Sequence, residues 1–238
     1  MQYRSLGKQA APLIIRTRGH QLQGIWHAGS PIQLILGSLR GIYLCVPRNM
    51  TQAAGFYNTL LEANDPALVI EPLKGYNLKE PLPSNMGEYR VPLGVPEIVH
   101  EGTDITAVTY GWNVHHVLKA AHLLKEIKNI SVEVIDVQTL LPFDVNHLIL
   151  ESVKKTNKVI FIDEDVPGGG TAYMMQKVLQ EQQVFNYLET SPRTLSAMEH
   201  RPAYGIDGEY FTKPNVELIF ENIYQMMHEV NIEGYPML

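Results

Sequence analysis

The strictest constraint on how this chain folds is an alternation that runs from residue 104 to residue 229. Short apolar, β-branched runs take turns with longer segments whose apolar residues recur at helical spacing. That order is the signature of a parallel sheet covered by helices on both faces. Residues 104–110 read as a strand and 113–127 as a helix capped by Asn113; 131–137 read as a strand with β-branched residues at nearly every second position. Residues 139–142 turn the chain, Asp144 caps a helix to residue 155, and 158–162 form a strand that ends in Asp163-Glu164-Asp165. Pro167-Gly168-Gly169-Gly170 leads into a helix over 171–182, residues 193–198 make one more strand, and Asn215 caps a final helix to residue 229.

The first third carries a shorter version of the same pattern. Pro12-Leu13-Ile14-Ile15 reads as a buried strand, 31–39 as a short helix and 42–46 as a strand. Thr51 caps a helix over 52–63, and 67–70 form another buried strand. Between the two series, residues 72–96 hold five prolines and three glycines with no helical period, the texture of a linker or a surface excursion. The expected architecture is therefore α/β, with two doubly wound, mainly parallel sheets carried by residues 1–84 and 85–238.

Composition narrows the function classes. The 238 residues suffice for one large or two modest domains, and 45% hydrophobic with 18% charged residues suits a globular protein. A net charge of -6 argues against nucleic acid as a partner. No stretch approaches the roughly 20 apolar residues of a membrane span. The start shows no secretory h-region, and the lone Cys45 lies in a strand-like run, so a buried structural thiol in a cytoplasmic protein is expected.

The best site candidate is the segment Arg16 to Pro31. It gathers two arginines, two histidines, three glycines and a serine at the carboxyl end of a buried strand, where open α/β sheets place ligands. The Gly168-Gly169-Gly170 run lacks the Lys-Ser/Thr of a phosphate loop, so close backbone packing is its expected use. His115, His116 and His122 are not four apart, so they form no one-face metal pair and no metal site is expected. Asp163-Glu164-Asp165 reads by default as an exposed acidic turn, and the roles of His20, of these acids and of His200-Arg201-Pro202 stay open.

Several segments, in order, resemble the β subunit of the thiamine-diphosphate-dependent 2-oxo acid dehydrogenases. His27-Ala28-Gly29-Ser30-Pro31 stands where that family has His-Ser-Gln-Ser-Pro, and Pro12-Leu13-Ile14-Ile15-Arg16 resembles the strand before it. Cys45-Val46-Pro47-Arg48 and Asp65-Pro66-Ala67-Leu68-Val69-Ile70-Glu71-Pro72 resemble later strand ends of the pyrimidine-binding domain. Val132-Glu133-Val134-Ile135-Asp136-Val137-Gln138-Thr139-Leu140-Leu141-Pro142 is similar to the family's Val-Glu-Val-Ile-Asp-Leu-Arg-Thr-Leu-x-Pro in its transketolase C-terminal domain. Lys154-Lys155-Thr156, Glu164-Asp165 and Gly168-Gly169 also fall where the family has similar residues.

The resemblance implies that His27 is the active-site histidine, with Ser30 placed to orient it and Arg16, Arg18 and His20 near the substrate carboxylate or the lipoyl-facing channel. An imidazole there can donate a proton to, or stabilise, charge that develops on the 2-oxo acid near neutral pH. It further implies thiamine diphosphate and Mg in the intact enzyme, an α section, an acyltransferase with a lipoyl domain, and a homodimer or heterotetramer. Two departures stand out: the loop between Arg16 and His27 is shorter and less glycine-rich than usual, and Ala28-Gly29 replaces Ser-Gln. The family's cofactor-activating glutamate has no counterpart within this chain, whose opening residues 3–8 read like the tail of a helix. The chain is thus expected to be a section of a longer or fused polypeptide, to hold no cofactor alone and to be inactive alone. The competing expectation is a non-catalytic module that dimerises and docks the acyltransferase.

Overall fold

The computed structural model describes Leu6 and residues 8–20, 29–205 and 207–237. The first sheet collects β1 (Ile14–His20), β2 (Tyr43–Cys45) and β3 (Ala67–Pro72), with α1 (Ile32–Ser38) and α2 (Met50–Leu61) between them. β3 lies at the centre of these three, parallel to β1 from Ile14↔Ala67 and to β2 from Tyr43↔Ala67. Every residue of β3 is buried, which suits its Ala-Leu-Val-Ile run. Asn49, not Thr51, caps α2 by accepting from the Gln52 amide at 2.8 Å. Thr51 lies inside the helix and gives its amide and hydroxyl to Glu80 instead.

The second sheet holds β4 (Glu97–His100), β5 (Ile105–Thr109), β6 (Val132–Asp136), β8 (Val159–Ile162) and β9 (Arg193–Leu195), in the order β4-β6-β5-β8-β9. Only β4 runs antiparallel, at the edge. α3 (Asn113–Lys128) and α7 (Val216–Val230) pack together against one face. Asn215 caps α7 as its sequence predicts, accepting from the Leu218 amide at 2.9 Å. Asp144 likewise takes the first amides of α4 (Leu148–Thr156), from Leu148 at 2.8 Å and Ile149 at 3.1 Å. Asn113 departs from expectation: it sits in the first turn of α3, fully buried, and does not cap it.

Three further differences have physical reasons. Residues 139–142 are not only a turn, because β7 (Thr139–Leu141) pairs antiparallel with β2 and completes the first sheet. The helix expected over 171–182 is α5 (Gly170–Gln176) continued by a π-helical turn over Lys177–Glu181. After a 3₁₀ turn at Leu73–Asn77, the proline-rich stretch lies across α2. Asn58 donates to the carbonyls of Met86 and Tyr89, Thr59 to that of Val91, and Val91 is buried.

The two sheets share one core. Ile32, Leu44, Val46 and Ile70 from the first pack in the same cluster as Val108, Tyr110, Ile135 and Leu140. Each fully buried side chain of this size contributes roughly 1.5–3 kcal/mol over an exposed one, so this seam fixes the relative placement of both sheets. The site forms where their carboxyl ends meet.

Candidate functional site

β8 pairs on both sides, with β5 and β9, so the residues that follow it are held beneath neighbouring turns. Asp163, Glu164 and Asp165 are 0%, 3% and 3% exposed. They are not the exposed acidic turn that the sequence suggests. Asp163 accepts from the Tyr110 hydroxyl at 2.5 Å, and its other oxygen meets His20 Nε2 at 3.3 Å. The second ring nitrogen of His20, Nδ1, accepts from the Trp112 amide at 3.2 Å. These partners assign the ring proton to Nε2, which donates to Asp163. The end of β1 is thereby tied to β8 and to the start of α3.

Glycines make this approach possible. Gly111 has φ +58°, and a Cβ there would stand 2.8 Å from His20 Nδ1. A Cβ on Gly170 would collide with the Tyr110 hydroxyl, and one on Gly169 with the Asp165 carboxylate. The glycine run thus serves close packing, as its sequence predicts. Burial raises the Tyr110 hydroxyl well above its ordinary value, with Asp163 adding to the effect. Burial first, and then the Asp163 charge, push the Asp165 carboxyl up to about 6. Its oxygens accept from the amides of Val166 at 2.9 Å and Gln33 at 2.8 Å.

Beside these acids opens a cleft of about 230 Å³, lined by Ser30, Gln33, Asp165, His200, Arg201 and Lys213 among others. Lys213 is buried and stands 3.8 Å from Glu164. The cleft thus brings together the carboxyls of Glu164, Asp165 and Glu199 with Lys213, Arg201 and His200, a lining of both charges with the hydrogen-bonding groups to hold a small polar substrate.

Of the residues singled out by sequence, His27 lies outside the described residues, between His20 and the cleft-lining Gly29. Ser30 lines the cleft and accepts from the Ile32 amide at 3.3 Å. His20 is sealed, with both ring nitrogens engaged by the protein. Arg16 does not line the cleft: it pairs with the buried Glu71 at 2.7 Å, which also accepts from the Tyr57 and Tyr76 hydroxyls. Burial pushes Glu71 up, but these three partners outweigh it and hold its carboxyl below the usual range. Arg18 is exposed on β1 and does not line the cleft either.

Of the other histidines, His115 bonds the Arg48 carbonyl at 3.0 Å, and His116 accepts from the Trp112 indole at 3.1 Å. Cys45 is buried, and burial raises its thiol. Among the described residues no three His, Cys, Asp or Glu side chains are grouped to hold a metal ion. Nor, among them, is any helix long and apolar enough to cross a membrane. Sequence reasoning missed Lys213 and the Glu71 cluster. The only signal for Glu71 is its place in the Ile70-Glu71-Pro72 strand end.

Comparison with known proteins agrees with this architecture. Residues 94–215 match the family described as the transketolase C-terminal domain. The chain is 33% identical over 194 residues to the β subunit of the pyruvate dehydrogenase E1 component of Acholeplasma laidlawii, covering 81% of this chain and 58% of that one. It is 31% identical over 234 residues to the corresponding subunit of Staurastrum punctulatum, covering 97% and 69%. It is 29% identical over 188 residues to the β subunit of the 2-oxoisovalerate dehydrogenase of Bacillus subtilis, covering 78% and 56%. The chain therefore spans somewhat over half the length of several such relatives. A solved split-gene transketolase, described as an inactive β4 tetramer, has the same fold with a TM-score of 0.71 at 20% identity, over 90% of this chain and 66% of that one. This chain belongs to the family of β subunits of the pyruvate dehydrogenase E1 component, and it carries a transketolase C-terminal domain.

Proposed function

We propose that this chain supplies the β side of the active site in a thiamine-diphosphate-dependent 2-oxo acid dehydrogenase of pyruvate or branched-chain type. The observation that carries the reading is the cleft at the joined carboxyl ends of both sheets. Gly29 and Ser30, two and three residues after His27, form part of its wall. His27 serves there as the proton donor to the 2-oxo acid, with Ser30 orienting it. Lys213 and the basic mouth at His200 and Arg201 attract the substrate's carboxylate.

The described residues offer a cleft for a substrate, yet no acidic cluster that suits a Mg-bound diphosphate. In this reading a partner α section holds the diphosphate and Mg. When bound, the cofactor supplies the electron sink for loss of CO2. A lipoyl domain on an acyltransferase is the acyl acceptor, and the assembly works in the cytoplasm as a dimer or heterotetramer.

The test is reconstitution. The chain, joined to a section that carries the cofactor-activating glutamate and to its α-type partner, should release CO2 from pyruvate or 2-oxoisovalerate with thiamine diphosphate and Mg, and the chain alone should not. Turnover by the chain alone would contradict the reading. An assembly that forms with both components yet never decarboxylates would favour the docking module instead.

A further inference from the structure

Asp165 joins the two walls of the cleft. It lies in the turn after β8, and it takes an amide 132 residues away in sequence, that of Gln33 in the first turn of α1. α1 has no N-cap side chain of its own, since Pro31 precedes it and offers none. Its first-turn amides are met by Ser30 Oγ at 3.3 Å and by Asp165 at 2.8 Å. The tighter contact is the remote one. A seven-residue helix without a strong local cap depends on such a contact to hold its start. Gly169 keeps the carboxylate in place, because any side chain there would collide with it.

We propose that Asp165 is the positioning residue of the cleft: its carboxylate clamps the first turn of α1 to the turn after β8, sets the spacing between the two walls, and lets go when it takes a proton. The functional part of this rests on the cleft being the substrate site; the clamp itself does not. One wall carries Gly29, Ser30 and Gln33 and the other Lys213 with His200 and Arg201.

The switch falls near neutral pH because burial and Asp163 bring the Asp165 pKa to about 6. Glu164 faces it from the same turn, His20 from β1, Lys213 from beyond α6 (Gly208–Thr212), and Glu199, His200 and Arg201 from the segment after β9. The sign is distinctive. With its folded pKa above the ordinary carboxyl value, the folded chain binds this proton more tightly than the unfolded chain. Through this group, stability is greatest at low pH and falls as pH rises to about 6. Protonation nevertheless turns two charge-assisted bonds into weaker neutral ones. The Gln33 amide is one of the groups that lower the Asp165 pKa, so parting from it while the carboxyl stays buried takes up a proton, and acid loosens α1 locally without a loss of global stability at this group.

The test is hydrogen exchange across α1 in the full chain, corrected for the intrinsic pH dependence of exchange. At pH 8, Asp165→Asn should speed exchange at Gln33 and its neighbours about tenfold or more, with the Tm unchanged or higher. At pH 5 the unsubstituted chain should match the variant. Asp165→Ala, which removes the acceptor altogether, should speed exchange in α1 at least as much as Asp165→Asn, and Gln33→Ala, which keeps the amide, should exchange like the unsubstituted chain. In the assembled enzyme, Asp165→Asn should raise KM for the 2-oxo acid about tenfold at pH 8 and leave kcat within about twofold. Equal exchange in α1 for Asp165→Asn and the unsubstituted chain at pH 8 would overturn the clamp. So would a lowered Tm that accounts for the faster exchange throughout the chain. Faster exchange confined to α1 with KM unchanged would uphold the clamp and overturn the cleft as the substrate site.

Discussion

Arg48, just after β2 in the first sheet, donates to the carboxylate of Asp136 at the end of β6 in the second sheet, at 2.7 Å. Asp136 is fully buried and accepts in addition from the Gln52 side chain at 3.2 Å and the Gln138 amide at 2.9 Å. Burial raises its carboxyl and Arg48 opposes that rise. The contact locks the two sheets, and with them the two walls of the cleft.

Removal of Arg48 leaves the Asp136 charge buried without its cation, held only by the Gln52 side chain and the Gln138 amide. Arg48→Ala should destabilise the chain by about 3–5 kcal/mol, read as a lower urea midpoint with an unchanged slope. The double variant Arg48→Met with Asp136→Leu should recover most of the loss. An Arg48→Ala midpoint within error of the unsubstituted chain would reject the lock.

The glycine after β8 is required for space. Gly170→Ala forces a methyl into the Tyr110–Asp163 contact, and overpacking of this kind costs typically 1–3 kcal/mol. Gly37, in α1, has open space at its Cβ position, so Gly37→Ala should be neutral or stabilise by about 0.5–1 kcal/mol. Thermal melts of both check the pair, and equal effects would contradict the packing account.

Acid should weaken the β1–β3 end through Glu71. Its folded pKa is depressed, so its contribution is present above the ordinary carboxylate value and is lost as pH falls through the depressed one. Glu71→Gln should flatten that part of the stability profile below about pH 4.5, a limit set by the ordinary carboxylate value. A profile as steep as before would show that Glu71 is not the group responsible.

His20 should be a structural tie, not a substrate contact. His20→Ala leaves the Trp112 amide and one oxygen of Asp163 without their partners, at a cost of about 1–3 kcal/mol for each buried group. The loss should appear in urea unfolding of the chain alone, where no substrate is present. Unchanged stability would contradict this role.

The sequence announced β6, where Val132-Glu133-Val134-Ile135-Asp136 is buried on both faces. It did not announce the true extent of β1, which runs Ile14–His20 through the expected loop and leaves Leu13 and Ile15 exposed where a buried strand was expected at 12–15, because it pairs on one side only, with β3. It could not announce β7, whose three residues owe their strand to pairing with Leu44 and Cys45 far earlier in the chain. The burial of Asp163-Glu164-Asp165 was hidden for a related reason. Their partners Tyr110, Gln33 and His20 lie 53, 132 and 143 residues away, so no local pattern shows that the acids are covered. Arg16 was read as a site residue from the loop it begins, while its actual partner, Glu71, is fixed by the β1–β3 register. Local propensity places the elements, and long-range pairing decides which polar side chains face a ligand and which face one another.

In the proposed function, His27 is the proton donor to the 2-oxo acid. The most direct test of this role is the rate of CO2 release from a carboxyl-labelled 2-oxo acid by the assembled enzyme, with and without His27→Ala. The account predicts a loss of about 100-fold or more with assembly intact, the scale of a removed acid–base group. An undiminished rate would contradict it.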